Sequence, residues 1–295
     1  MPWPTLLQTD GHLPEQASLD EWYAQLLARA GQCSALELAV LGGRLAATPG
    51  LAFLAGYQSA LRVLWPSAPR SLGALCATEN RSVRPADMHT RLDGLSLNGR
   101  KDFVTAASAA DWLLVAAREE APGDGVKLAL GVVRNGAPGV RVERLPALPL
   151  VPDIDHGRLH LEDAQCERLP GDGWDAYVKP FRSIEDTYVL TALCAWLSGI
   201  GQRCAWPQPV QLRLLGVLAG CAEVTRLPPA APATHLMLAG VYAQFASLET
   251  ELDAAFAAGP AQWVGLWARD KGILQLAAAA RAKRLEKAKA ALTLG

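Results

Sequence analysis

The chain as a whole carries no excess of charge of one sign. Its 28 Lys and Arg stand against 29 Asp and Glu, a formal charge of −1. A nucleic-acid groove needs a basic excess and a solvated acidic tail an acidic one, so neither is expected. Cysteine is sparse and lacks any ligand pattern. Cys33, Cys76, Cys166, Cys194, Cys204 and Cys221 form no Cys-x-x-Cys pair and no zinc spacing with a histidine. Several sit inside apolar runs, as buried free thiols do in a reducing compartment. Long hydrophobic runs are missing as well. The longest uncharged one, Thr187 to Gln202, is too short and interrupted to span a bilayer, so no membrane role is expected. The opening MPWPTLLQTDGHLPEQ has no basic stretch followed by an apolar core, so no secretory leader is expected and the cytoplasm is the expected compartment. The five histidines are scattered, and His156 and His160 fall on an expected turn and strand, so no metal site is expected. Walker A, Gly-x-Ser-x-Gly and Rossmann patterns are absent.

What is present is a chain of 295 residues, 51% apolar and 19% charged, with enough length for one to three cores. Residues 1–69 read as a small helical domain. An irregular arm to residue 17 leads to a capping box at Ser18 and Glu21 and an amphipathic helix to about Ala30. Ser34 starts a second helix. Pro49 sits in the first turn of a third, which Pro66 stops after Trp65. Residues 70–173 read as antiparallel β structure. Short apolar strands run over Ala74 to Thr78, Leu95 to Leu97, Lys101 to Thr105, Trp112 to Ala117, Val126 to Val133, Gly139 to Arg144 and Arg158 to Leu161. Asp93-Gly94 and Asn98-Gly99 read as two tight turns, and spacing of this kind suits a small barrel or sandwich. Residues 174–295 read as four helices in an antiparallel bundle. The first begins near Ser183 with Glu185 and Asp186 in its opening turn, where the helix dipole favours acids. The others run from Val210 to Val224, Thr234 to Ala258 and Ala261 to Leu292. The late cluster Arg281, Lys283, Arg284, Lys287 and Lys289 reads as cations at a helix end.

Residues 74 to 117 carry the functional signal. Thr78-Glu79, then Asn98-Gly99-Arg100-Lys101, then Phe103-Val104-Thr105, then Ala110-Asp111-Trp112 follow in order. That order resembles the middle β domain of the acyl-CoA dehydrogenase family. Pro138-Gly139-Val140 and Leu169-Pro-Gly-Asp-Gly173 resemble its later strand start and its exit into the next helix. The resemblance implies an α+β fold of N-terminal helices, a middle antiparallel β barrel and a C-terminal four-helix bundle, here as a shortened, divergent member.

What the family does is then the expectation here. FAD would lie in the cleft between β domain and bundle. An acyl-CoA-type thioester would lose an α-proton to a glutamate and a hydride to the flavin, as in fatty acid metabolism. Carried over by position, Thr78 would bond the flavin's pyrimidine side, with Cys76 and Ala77 adding backbone groups. Phe103 would pack on the ring and Thr105 would lie near its reacting nitrogen. Three departures stand beside these matches. Asn80 to Pro85 replaces the family's Gly-Ser-Asp loop, leaving Ser82 for its serine and Arg81 or Arg84 as charges for a phosphate. No Tyr-Glu-Gly-Thr loop follows Gly259, so the base falls to Glu185, at the place where other members carry it. Arg203-Cys-Ala-Trp-Pro-Gln-Pro209 lacks the family's Arg-x-x-Phe-Gly. The alternative is a catalytically inactive homologue that binds acyl-CoA or a partner subunit. The resemblance also implies homo-oligomerisation, or pairing with a full-length homologue.

Overall fold

The computed structural model describes residues 2–14, 18–121 and 123–292. A single turn, α1 (Trp3–Leu6), opens the arm that the sequence leaves irregular. Helices α2 (Leu19–Ala30), α3 (Ala35–Leu45) and α4 (Pro49–Leu64) follow as expected. The hydroxyls of Ser18, Ser34 and Thr48 accept N–H groups of the first turns. Only Ser34 with Glu37 closes the reciprocal capping box, whereas the Ser18 cap is one-sided.

The strands are β1 (Gly73–Cys76), β2 (Arg91–Asp93), β3 (Ser96–Thr105), β4 (Trp112–Arg118), β5 (Leu128–Arg134), β6 (Val140–Arg144), β7 (His156–Gln165) and β8 (Glu167–Arg168). They make one sheet in the order β6-β7-β3-β2-β4-β5-β8, with β1 parallel to β4. The outer strands β6 and β8 do not pair with each other, so the β barrel expected takes the form of a curled half-barrel. It still encloses a core of its own, built from Cys76, Leu97, Val115, Leu159 and neighbours. The other face of β4, Trp112, Leu114 and Ala116, packs on α4 and α5 (Lys179–Arg203) through Leu61, Phe181 and Tyr188. Burial on both faces accounts for the unbroken apolar run of that strand.

Asn98-Gly99 is not the second turn that the sequence suggests. Both residues lie inside β3, where the pairing with β7 slips between Leu97 and Gly99. Gly99 takes φ +141°, and a Cβ there would come within 2.6 Å of the Thr90 backbone. Asn98 Nδ2 donates to Asp163 Oδ1 at 2.9 Å, and the Asp163 N–H donates to Asn98 Oδ1 at 2.8 Å. The pair pins the bulge across the sheet.

Helix α5 is the axis of the molecule, buried on nearly every side, as its lack of charge predicts. It packs on α3 and α4 on one hand and on α6 (Gln208–Val224) on the other. A Cβ on Gly43 of α3 would fall inside the carbonyl group of Ala192, so glycine permits the α3–α5 approach. The two long helices expected after α6 are each broken. The first divides into α7 (Pro232–Ala246) and α8 (Glu249–Ala257). The second divides into α9 (Ala261–Asp270), a tight turn Lys271–Gln275 and α10 (Ala278–Ala291). One apolar core runs through α2 to α6 and on to Phe256, Trp267 and Leu274. All six cysteines are free. Among the described residues no helix is long and apolar enough to cross a membrane.

Candidate functional site

A cavity of about 310 Å³ lies where the sheet, α4, α5, α7 and the Lys271–Gln275 turn meet. The sheet wall carries Ala77, Thr78, Phe103 and Thr105, four of the positions singled out from the sequence. Phe103 leaves 38% of its surface open, unusual for an aromatic on a β strand of the core. Its other side lies against the His156 ring at a centroid distance of 4.5 Å. Cys76 is fully buried inside the sheet core, outside the lining. Ser82 is outside it too. Its hydroxyl donates to Asp87 Oδ2 at 2.6 Å and accepts the Arg84 N–H at 3.1 Å, holding the loop to itself. Arg81 and Arg84 are exposed, and Asn80 and Arg81 take positive φ of 47° and 60°.

The sheet wall is held from behind by Glu79 and Lys101, both buried. Lys101 Nζ lies 2.6 Å from Glu79 Oε1. The same carboxylate accepts the His89 N–H at 2.6 Å and the Thr90 N–H at 3.2 Å. Burial works against its charge, but Lys101 and these donors outweigh it and hold the Glu79 carboxyl below its usual range. Burial likewise lowers Lys101, against the pull of Glu79. The Glu and Lys of the sequence pattern thus fix the loop between β1 and β2, one residue away from Thr78.

Glu185 faces the cavity from α5. The sequence places it in an opening turn, where the dipole alone explains an acid. The helix instead begins at Lys179, after a wide turn Trp174–Val178, so Glu185 lies well inside it and that explanation falls away. Among the described residues its carboxylate takes part in no hydrogen bond or ion pair. Burial first, and then the Asp186 charge, push it up to about 8, against the pull of Arg284. Tyr57 of α4 lies beside it, accepting the Leu75 N–H at 2.9 Å. Burial and the Glu185 charge raise the Tyr57 phenol well above its usual value.

Asp186 is the contrasting acid. Arg281 Nη1 binds it at 2.9 Å and Arg284 binds its other oxygen. Arg281 also stacks over Tyr242, 3.9 Å from the ring centroid, and the Tyr242 hydroxyl donates to the Asp186 carbonyl at 3.0 Å. Arg281 and Arg284 sit in the first half of α10, not at its C-terminal end. Their place is set by Asp186, which corrects the dipole reading. Tyr57, Arg182 and Tyr242 line the cavity without any sequence signal, and His156 and Arg281, which the sequence offers only as a non-metal histidine and a helix-end cation, line it too. The i, i+3 spacing of Arg281 and Arg284 was the available signal. His156 and His160 share β7, but His160 pairs with Glu143 at 2.8 Å, and no metal-binding group occurs among the described residues.

Residues 74–164 match the family model described as "Acyl-CoA dehydrogenase, middle domain". Over that stretch the chain is similar to an acyl-CoA dehydrogenase middle domain. Helices on both sides of it complete an acyl-CoA dehydrogenase-like fold. Three solved structures similar to the chain bear this out. One is FkbI, for biosynthesis of the methoxymalonyl extender unit of the Fk520 polyketide immunosuppressant. It is 22% identical with TM-score 0.63, over 99% of this chain and 96% of that one. Another is PigA with FAD and proline, 17% identical with TM-score 0.66, over 93% and 89%. The third is butyryl-CoA dehydrogenase from Megasphaera elsdenii, 14% identical with TM-score 0.59, over 88% and 81%. No sequence among curated proteins matches the chain.

Proposed function

We propose that the chain is a flavin-dependent oxidoreductase acting on the CH–CH group of an acyl-CoA-type thioester, with Glu185 as the base. The observation that carries the proposal is the unpaired Glu185 carboxylate in the same cavity as Thr78, Phe103 and Thr105. The residues present fit a flat heteroaromatic ring. Phe103 offers a face, Leu75, Leu150 and Val151 offer apolar walls, and the two threonines offer hydroxyls for a polar edge. A volume near the lower end of small-molecule sites, roughly 300–1,000 Å³, suits a ring system rather than a whole dinucleotide. The adenosine half of FAD would then lie outside this cavity. The similarity to PigA with FAD supports the same cofactor class.

A bound flavin would supply the hydride acceptor. The chain's own part is proton removal. Glu185 takes the α-proton of the thioester as the β-hydrogen leaves with its electron pair. A carboxyl titrating near 8 is a stronger base than an ordinary one and sits close to neutrality, where general bases work best. Tyr57, Phe181 and Val189 line the cavity with it. Anaerobic addition of short-chain acyl-CoA thioesters to flavin-loaded protein is expected to bleach the flavin's visible absorption. A spectrum unmoved by any thioester would count against the substrate class.

The loop of residues 80–85 favours a second reading, a non-catalytic homologue that binds acyl-CoA or a partner subunit. Ser82 is occupied within its own loop, and the expected glycines are absent. The apolar stretch on the outer face of α6, with Leu212 58% exposed and Leu215 one turn on, suits a homo-oligomer under either reading.

A further inference from the structure

The charges around Asp186 do not balance. Three guanidinium groups, Arg182, Arg281 and Arg284, surround one buried carboxylate. Arg281 and Arg284 both bind it, leaving only 15% and 13% of their side chains open. Arg182 is half-buried and lines the cavity together with Arg281. Among the described residues it has no hydrogen bond and no ion pair. His235 adds a fourth nitrogen base on the outer side, 3.4 Å from the Ser183 hydroxyl. A half-buried cation beside like charges is costly unless a counter-charge reaches it.

Glu185 does not supply that counter-charge. Among the described residues it makes no hydrogen bond or ion pair with Arg182, and the charges beside it are Asp186 and Arg284. Burial and then Arg284 lower Arg182, with Asp186 only partly offsetting them. A guanidinium with free donors at a cavity wall is the usual receptor for a carboxylate or phosphate.

We propose that Arg182, seconded by Arg281, forms a subsite for an anionic group, carboxylate or phosphate, on the ligand that fills the cavity. The inference rests on the cavity's being a ligand site, and it deepens the substrate class. The thioester's acyl chain carries a terminal carboxylate, or a phosphate of the cofactor or thioester reaches this wall.

The test needs no flavin and no turnover. Inorganic phosphate and glutarate are titrated calorimetrically into the flavin-free protein at constant ionic strength, with chloride as control. At least one is expected to bind. Arg182→Gln is expected to weaken that binding about tenfold or more. The variant should melt no lower than the wild type, because Arg182 loses no partner. Binding of glutarate alone assigns the anion to the acyl group, and binding of phosphate assigns it to a phosphate ester. Absence of binding by both, or equal binding by Arg182→Gln, would overturn the subsite. Flavin uptake is read separately by absorption, so its failure beside intact anion binding would strike only the function proposed above.

Discussion

Glu185→Gln is expected to lower acyl-thioester oxidation by roughly 10²–10⁴-fold, the range for losing a general base, while flavin uptake is unchanged. Glutamine keeps the size of the side chain but cannot take a proton. The wild-type rate should rise with pH through about 8, because the carboxyl is pushed there from its ordinary 4.5. The groups facing it are Asp186, which raises it, Arg284, which lowers it, and the Tyr57 phenol. The same shift has a stability consequence of defined sign. Folded Glu185 holds its proton where the unfolded chain has released it, so its contribution is greatest below 4.5. It is lost as pH rises toward 8. Glu185→Gln should therefore unfold at higher denaturant than wild type near pH 8, with the difference closing toward pH 4. Unchanged turnover in the variant would remove Glu185 from the mechanism.

Lys101→Ala is expected to destabilise the fold by about 3–5 kcal/mol, the cost of leaving a buried charge without its partner. Glu79 would keep the His89 and Thr90 N–H groups but lose the ammonium 2.6 Å away. Glu79→Gln combined with Lys101→Met should recover most of the loss. The double variant removes both charges and leaves an amide oxygen for the loop donors. Urea midpoints at neutral pH read both values. In the wild type, the carboxyl lies below its usual range when folded, so its stabilisation is present above 4.5 and lost as pH falls further. If Lys101→Ala unfolds with the wild type, the pair is not what holds the wall behind Thr78.

The sequence pattern located the middle domain because its markers are local. Thr78-Glu79 follows β1 closely, Lys101 pairs with Glu79, and Phe103 follows Lys101 two residues later on β3. Asn98-Gly99 was misread because a bulge and a tight turn demand the same positive φ from glycine. Helix continuity after Thr234 was overestimated because nothing in the composition forbids helix at Ser247-Leu248. Tertiary packing decides there, with Leu248 fully buried between α7 and α8. The cavity's far wall was the least legible part. Tyr57, Tyr242 and Arg281 come from three separate helices, and only the folded chain brings them to Glu185. Asp186 stood next to Glu185 in sequence as its near equivalent. Its two arginine partners, which make it a structural acid and leave Glu185 free, lie almost a hundred residues further on.

The visible absorption spectrum of the purified protein, before and after addition of FAD, tests the central claim most directly. A flavin spectrum that stays with the protein through gel filtration and weakens on Phe103→Ala is the result expected of a ring site against Phe103, Thr78 and Thr105. A colourless protein that passes free of added FAD and FMN would contradict the flavin reading and leave the fold as a scaffold for binding.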